Sequence, residues 1–116
     1  MRILLVEDHD DTRHAMATLL TLSSHQVLQA ATGGEAIVLA DQSAFDCAVI
    51  DLGLPDMAGT QLMELLLQRG PLKAIALTGS TAPEDVQRCT AAGFALHMPK
   101  PISIEDLEAA LARLAG

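Results

Sequence analysis

Short apolar runs alternate along the chain with stretches whose apolar residues recur every three or four positions. Ile3-Leu4-Leu5-Val6 is the first run, continuous rather than alternating, the pattern of a strand buried on both faces. Helical spacing follows over about residues 11–23, with Ala15, Met16, Leu19 and Leu20 on one side. Residues 26–30 are short and β-like, and residues 33–41 read as a helix with Thr32 at its cap. Cys47-Ala48-Val49-Ile50 is a second continuous run, stopping at Asp51. Gly53, Pro55 and Gly59 mark a loop, and residues 60–68 form a Leu-rich helix ended by Gly70-Pro71.

Residues 73–77 make another buried strand, which stops at Thr78-Gly79-Ser80. Pro83 sits where a first-turn proline belongs, and residues 84–92 continue as a helix that Gly93 ends. Residues 94–98 give a fifth strand, broken by Pro99-Lys100-Pro101. Ser103 caps a last helix that carries Ile104, Leu107, Leu111 and Leu114 on one stripe, with Glu105, Asp106 and Glu108 near its start. The result is five βα units in series. Strands alternating with helices imply an α/β fold: a parallel sheet with helices on both faces, its second strand at an edge. At 116 residues the chain fits one domain, residues 1–116.

Composition narrows the functional classes. Half the residues are hydrophobic and 19% are charged, a globular balance. Fifteen acidic residues against seven basic ones give a formal net charge of −8, which argues against nucleic acid or an anionic membrane as a partner. Trp and Tyr are absent, and Phe occurs only at Phe45 and Phe94, so a stacking platform is not expected. Cys47 and Cys89 stand far apart with no metal-ligand spacing around them, which fits a reducing compartment. The first apolar run is too short for a signal peptide or membrane span. The expectation is a soluble cytoplasmic domain.

In parallel α/β sheets the site lies beyond the carboxyl ends of the strands. Glu7 and Asp8 follow the first strand, Asp51 the third, Thr78 the fourth and Lys100 the fifth, while the second ends at Ala30-Ala31-Thr32 with nothing comparable. Three carboxylates held together repel one another and call for a cation, and oxygen ligands favour magnesium. A lysine and a threonine hydroxyl facing that cation suit a phosphoryl group. One carboxylate is then a candidate nucleophile, since an aspartyl phosphate is a form of covalent catalysis. Asp8 or Asp51 acting only as helix caps would explain neither the lysine nor the threonine.

With these residues in place the chain resembles the receiver domain of two-component response regulators over essentially its whole length. Leu5-Val6-Glu7-Asp8, Asp51-Leu52-Gly53-Leu54-Pro55-Asp56-Met57-Ala58-Gly59, Leu77-Thr78-Gly79 and Pro99-Lys100-Pro101 stand in that family's order. The resemblance implies a doubly wound, flavodoxin-like (βα)5 fold with strand order 2-1-3-4-5. It implies Asp51 as phosphoryl acceptor and Mg2+ (or Mn2+) bound by Asp8 and Asp51, by Glu7 through water, and by the Gly53 backbone carbonyl. It implies Thr78 and Lys100 on the phosphoryl group, and a cis peptide before Pro101. The donor would be a phosphohistidine on a sensor histidine kinase or a histidine phosphotransfer domain. The response would be a shift of the face built from the fourth helix, fifth strand and fifth helix. Such a domain assists its own phosphorylation and dephosphorylation without turning over a separate substrate.

The sequence departs from the family at the switch position three residues before the lysine, often Tyr or Phe and here His97. A histidine is smaller and titrates, so the expectation is a less decisive switch, set against a histidine resting half-exposed at a strand end. His97 with Phe94 and Pro99 is also similar to receivers attached to hybrid sensor kinases. His9 follows the acidic pair and is placed to approach a metal there, but reads more readily as a solvated loop residue; His14 and His25 read as surface residues, Cys47 as core and Cys89 as partly exposed. The leucines of residues 62–67 read mainly as core, with some available to an interface. A receiver that has lost phosphorylation would lack a member of the acid, acceptor, threonine and lysine set, and none is missing. A phosphatase with an aspartate nucleophile commonly carries a second acid where Gly53 stands. A dinucleotide site would need a G-x-G-x-x-G after the first strand, and none follows it.

Overall fold

The computed structural model describes residues 1–80 and 82–115. The strands are β1 (Arg2–Val6), β2 (Gln26–Ala30), β3 (Cys47–Asp51), β4 (Lys73–Thr78) and β5 (Leu96–Pro99). The helices are α1 (Asp10–Leu22), α2 (Gly33–Gln42), α3 (Gly59–Leu67), α4 (Pro83–Ala92) and α5 (Ile104–Ala115). The five strands form one parallel sheet in the order β2-β1-β3-β4-β5. The chain order therefore reverses next to β1, and the crevice it opens lies at the carboxyl ends of β1 and β3.

The continuous apolar runs are explained by the two-sided cover. Successive side chains of a strand point to opposite faces. Leu4, Val6, Ala48 and Ile50 enter one core with Ala36 of α2, Leu62, Met63 and Leu66 of α3, and Cys89 of α4. Ile3, Leu5, Val49 and Leu77 enter the other with Leu20 of α1 and Leu107, Leu111 and Leu114 of α5. Both cysteines are buried, and Cys89 is thus a core residue rather than partly exposed, because it points from α4 toward the sheet. Of the Leu-rich helix, Leu62, Met63 and Leu66 are core, while Leu67 is partly exposed and lies over Gly93.

Three local expectations are corrected. The buried face of α1 is Arg13, Ala17 and Leu20, while Ala15 and Leu19 face outward. Two helical registers compete there, and the guanidinium finds partners that let it enter the buried one. β5 begins at Leu96 rather than at residue 94, since the chain after Gly93 must first turn back to the sheet, and Phe94 packs against the α3–α4 side. His25 is half-buried, its Nε2 3.0 Å from Glu108 Oε2 of α5.

Caps follow the sequence closely elsewhere. Thr32 Oγ1 accepts the Glu35 N–H at 3.1 Å, and Ser103 Oγ accepts the Asp106 N–H at 3.1 Å. Gly93 closes α4 at φ 107°, in the left-handed region that favours glycine.

Candidate functional site

Each polar residue singled out at a strand end arrives at the same edge of the sheet. The β1 ladder ends with the Glu7 N–H donating to Ala30 C=O at 3.0 Å, and the next residues turn away into α1. At the end of β3, Asp51 is 6% exposed, while Glu7 is 1% exposed and Asp8 is open to solvent. One carboxylate oxygen each from Glu7, Asp8 and Asp51 lie within 4.8 Å of one another. These residues are close enough to share one hard cation, with Asp8 on the solvent side.

Lys100 reaches this cluster from the loop after β5. Its Nζ is 3.0 Å from Asp51 Oδ2 and 3.1 Å from Glu7 Oε1. The Lys100 N–H donates to Thr78 C=O at 2.7 Å, which ties the lysine's loop to the end of β4. The Lys100–Pro101 peptide is cis. The other Asp51 oxygen, Oδ1, accepts the Gly53 N–H at 3.1 Å, so the loop after β3 folds back over the carboxylate. A cleft of about 570 Å3 opens over Glu7, Asp8, Asp51 and Lys100 and is walled by Met16 and Ile102. A second cleft shares Asp51 and Lys100 and is walled by Thr78 and Ser80.

The two buried acids ionise differently. Burial, followed by a hydrogen bond shared with Asp51, pushes the Glu7 carboxyl up to about 7, against the pull of Lys100. Burial also pushes on Asp51, but hydrogen bonds from Glu7, Lys100 and the Gly53 N–H outweigh it and hold the carboxyl below its ordinary value. Burial works against the charged Lys100, yet its hydrogen bonds to Asp51 and Glu7 prevail and keep it firmly protonated. Of the two buried acids, Asp51 is therefore the one that ionises more readily and Glu7 the one that holds its proton longer.

His97 lies on β5 beside Ala76 of β4, half-buried, with a fully buried Nε2 that has no hydrogen-bond partner among the described residues. Asp85 of α4 is nearby, bonded to Ser80 Oγ and to Arg88. Thr78 Oγ1 accepts the Ser80 N–H at 3.1 Å.

Sequence reasoning passed over the holding roles of Asp56 and Arg13, and read His9 as a loop residue without its cap. His9 is exposed but caps α1, its Nδ1 accepting the Thr12 N–H at 3.3 Å. Asp56 accepts the Gly33 and Gly34 N–H groups, each at 2.9 Å, and fastens the β3–α3 loop to the start of α2. Arg13 is 9% exposed and donates to Glu7 C=O at 2.9 Å. The readable signal for Arg13 was its spacing, since it shares a helical face with Ala17 and Leu20.

The geometry and the relatives agree on the class. The family model for the response regulator receiver domain matches residues 3–112, and the chain belongs to that family. A cyclic di-GMP phosphodiesterase of Thermotoga maritima is 33% identical over 108 residues, 92% of this chain and 29% of that protein. The sensor histidine kinase RcsC of Salmonella typhi is 30% identical over 113 residues, 97% of this chain and 12% of that protein. The chain thus spans less than a third of either relative. The crystal structure of a CheY-like response regulator receiver domain protein from Methanospirillum hungatei JF-1 superposes with a TM-score of 0.91 at 32% identity, covering 98% of this chain and 93% of that one. Among the described residues no helix is long and apolar enough to cross a membrane.

Proposed function

We propose that residues 1–116 form a phosphoryl-accepting receiver domain in which Asp51 is the acceptor. The observation that carries this reading is Lys100 Nζ placed 3.0 Å from Asp51 Oδ2, with Glu7 and Asp8 beside them. Asp51 is the acid held ionised, as a nucleophile requires. Asp8, Asp51 and the Gly53 carbonyl would hold Mg2+ or Mn2+ directly and Glu7 through water. A bound cation would supply charge neutralisation to the phosphoryl oxygens. Lys100 adds a second positive charge there, and the Thr78 hydroxyl a hydrogen bond.

In the transfer, an Asp51 oxygen forms a bond to phosphorus as the phosphorus–nitrogen bond of a phosphohistidine breaks. The electron pair returns to the imidazole, which takes up a proton. The donor is a histidine kinase or histidine phosphotransfer domain in the cytoplasm, and the domain turns over no separate substrate. Lys100 leaves its contact with Glu7 for the new phosphoryl group. Thr78 re-aims its hydroxyl and releases the Ser80 N–H. His97 follows behind it, and the α4-β5-α5 face changes its affinity for a protein partner.

Intact mass after incubation with a small phosphoryl donor and Mg2+ tests the reading. The expected result is a gain of one phosphoryl group that is lost in Asp51→Asn and in a chelated sample. No gain from either the small donor or a phosphorylated histidine domain, in folded protein, overturns it.

A further inference from the structure

Arg13 is a buried cation that the proposed chemistry does not use. It lies on the core-facing side of α1, where an aliphatic residue would be the ordinary choice, and a charge there must be paired. Its Nη1 donates to Glu7 C=O at 2.9 Å, and its Nη2 contacts Asp10 Oδ1 at 2.8 Å. Nη2 also lies 3.5 Å from His14 Nε2 on the exposed side of the helix.

The carbonyl it takes is a particular one. Glu7 N–H is the last group of its chain held by β2, through Ala30 C=O. Glu7 C=O belongs to the peptide that joins Glu7 to Asp8, so that plane sets the directions in which the two acids leave the backbone. Among the described residues nothing hydrogen-bonds to the Asp8 carboxylate, so its position depends on this backbone. The planar guanidinium spans Glu7 C=O and Asp10 and braces the turn from both sides.

We propose that Arg13 is a positioning residue for the cation site: it fixes the Glu7–Asp8 peptide so that both carboxylates face Asp51. This inference rests on the reading of the acidic cluster as a divalent-cation site. Groups that hold metal-binding carboxylates in place commonly contribute tenfold or more to affinity.

The sign of the effect separates the explanations. A guanidinium acting only as a nearby positive charge repels a divalent cation, so its removal would tighten binding. One that only packs α1 would leave affinity unchanged and lower thermal stability. Mg2+ is titrated into the wild-type chain and into Arg13→Met by calorimetry, at one ionic strength and pH, with unfolding in chelator measured alongside. The expected result is Mg2+ binding weakened by roughly tenfold in folded Arg13→Met. Unchanged or tighter binding overturns the proposal. Should Arg13→Met not fold, Arg13→Lys keeps the charge and loses the fork, and carries the same expectation and the same overturning result. If the wild-type chain itself binds no Mg2+, the reading of the site fails, and that outcome is distinguished from a failure of Arg13 alone.

Discussion

Glu7 and Asp51 face one lysine, and the two carboxyls respond in opposite directions. In the unfolded chain Glu7 ionises at its ordinary 4.5, and in the fold near 7. Between those values the unfolded state gives up a proton that the folded state keeps, so the metal-free protein loses stability as pH rises through that window. Asp51 acts with the reverse sign: its lowered value stabilises the fold above the ordinary aspartate range, a contribution lost in acid. A cation competes with the Glu7 proton. The stabilisation by Mg2+ in thermal unfolding is therefore expected to grow as pH rises through about 7, and to lose that pH dependence in Glu7→Gln. At the same scale, Lys100→Met is expected to cut phosphorylation of Asp51 by about tenfold or more, read as the rate of mass gain, because the cation facing the transferred group is gone.

At the scale of elements, the junctions between helices and sheet decide how well the loops are held. Gly93 ends α4 at φ 107°, and a Cβ there would lie 2.5 Å from Leu67 Cδ1 of α3. Gly93→Ala is expected to cost about 1–3 kcal/mol from backbone strain, and more where Leu67 cannot yield, measured by urea unfolding. Asp56 is held below its ordinary value by the Gly33 and Gly34 N–H groups. Its stabilisation is present above the ordinary aspartate range and is lost as pH falls through the lowered folded value. Urea unfolding of Asp56→Asn is expected to show a smaller loss of stability between about pH 6 and about pH 3 than the wild type.

Across the whole molecule, β4 and β5 join the Asp51 strand to the face built from α4, β5 and α5. Thr78 pairs in register with Pro99, and His97 with Ala76, so both candidate switch residues stand on adjoining strands. Ser80 and Asp85 link the end of β4 to α4. His97 Nε2 is buried with no hydrogen-bond partner among the described residues, so an imidazole that follows Thr78 as proposed has a bond to gain. His97→Ala is expected to keep Asp51 phosphorylation while reducing the amide shift changes that phosphorylation produces in α4 and β5. Unaltered shift changes would mean that His97 is a resting strand-end side chain.

The order of strands and helices, the two-sided cover of the sheet and the strand ends at which Glu7, Asp8, Asp51, Thr78 and Lys100 stand are all legible along the chain. These are local matters: continuous apolar runs, helical spacing, caps such as Thr32 and Ser103, and breakers such as Gly93 and Pro101. The strand order came with the family resemblance, and the tertiary structure realises it. Which α1 residues face the core, how Lys100 divides itself between Asp51 and Glu7, and why those two acids ionise apart emerge once the elements are packed together. Packing also brings His25 to Glu108, buries Cys89, lets Asp56 fasten its loop to the distant start of α2, and turns Arg13 back onto the Glu7 carbonyl. The physical reason is common to all of these. Periodicity reports which side of an element is apolar, but a polar group enters the interior wherever its hydrogen-bond and charge partners are assembled, and those partners come from other elements.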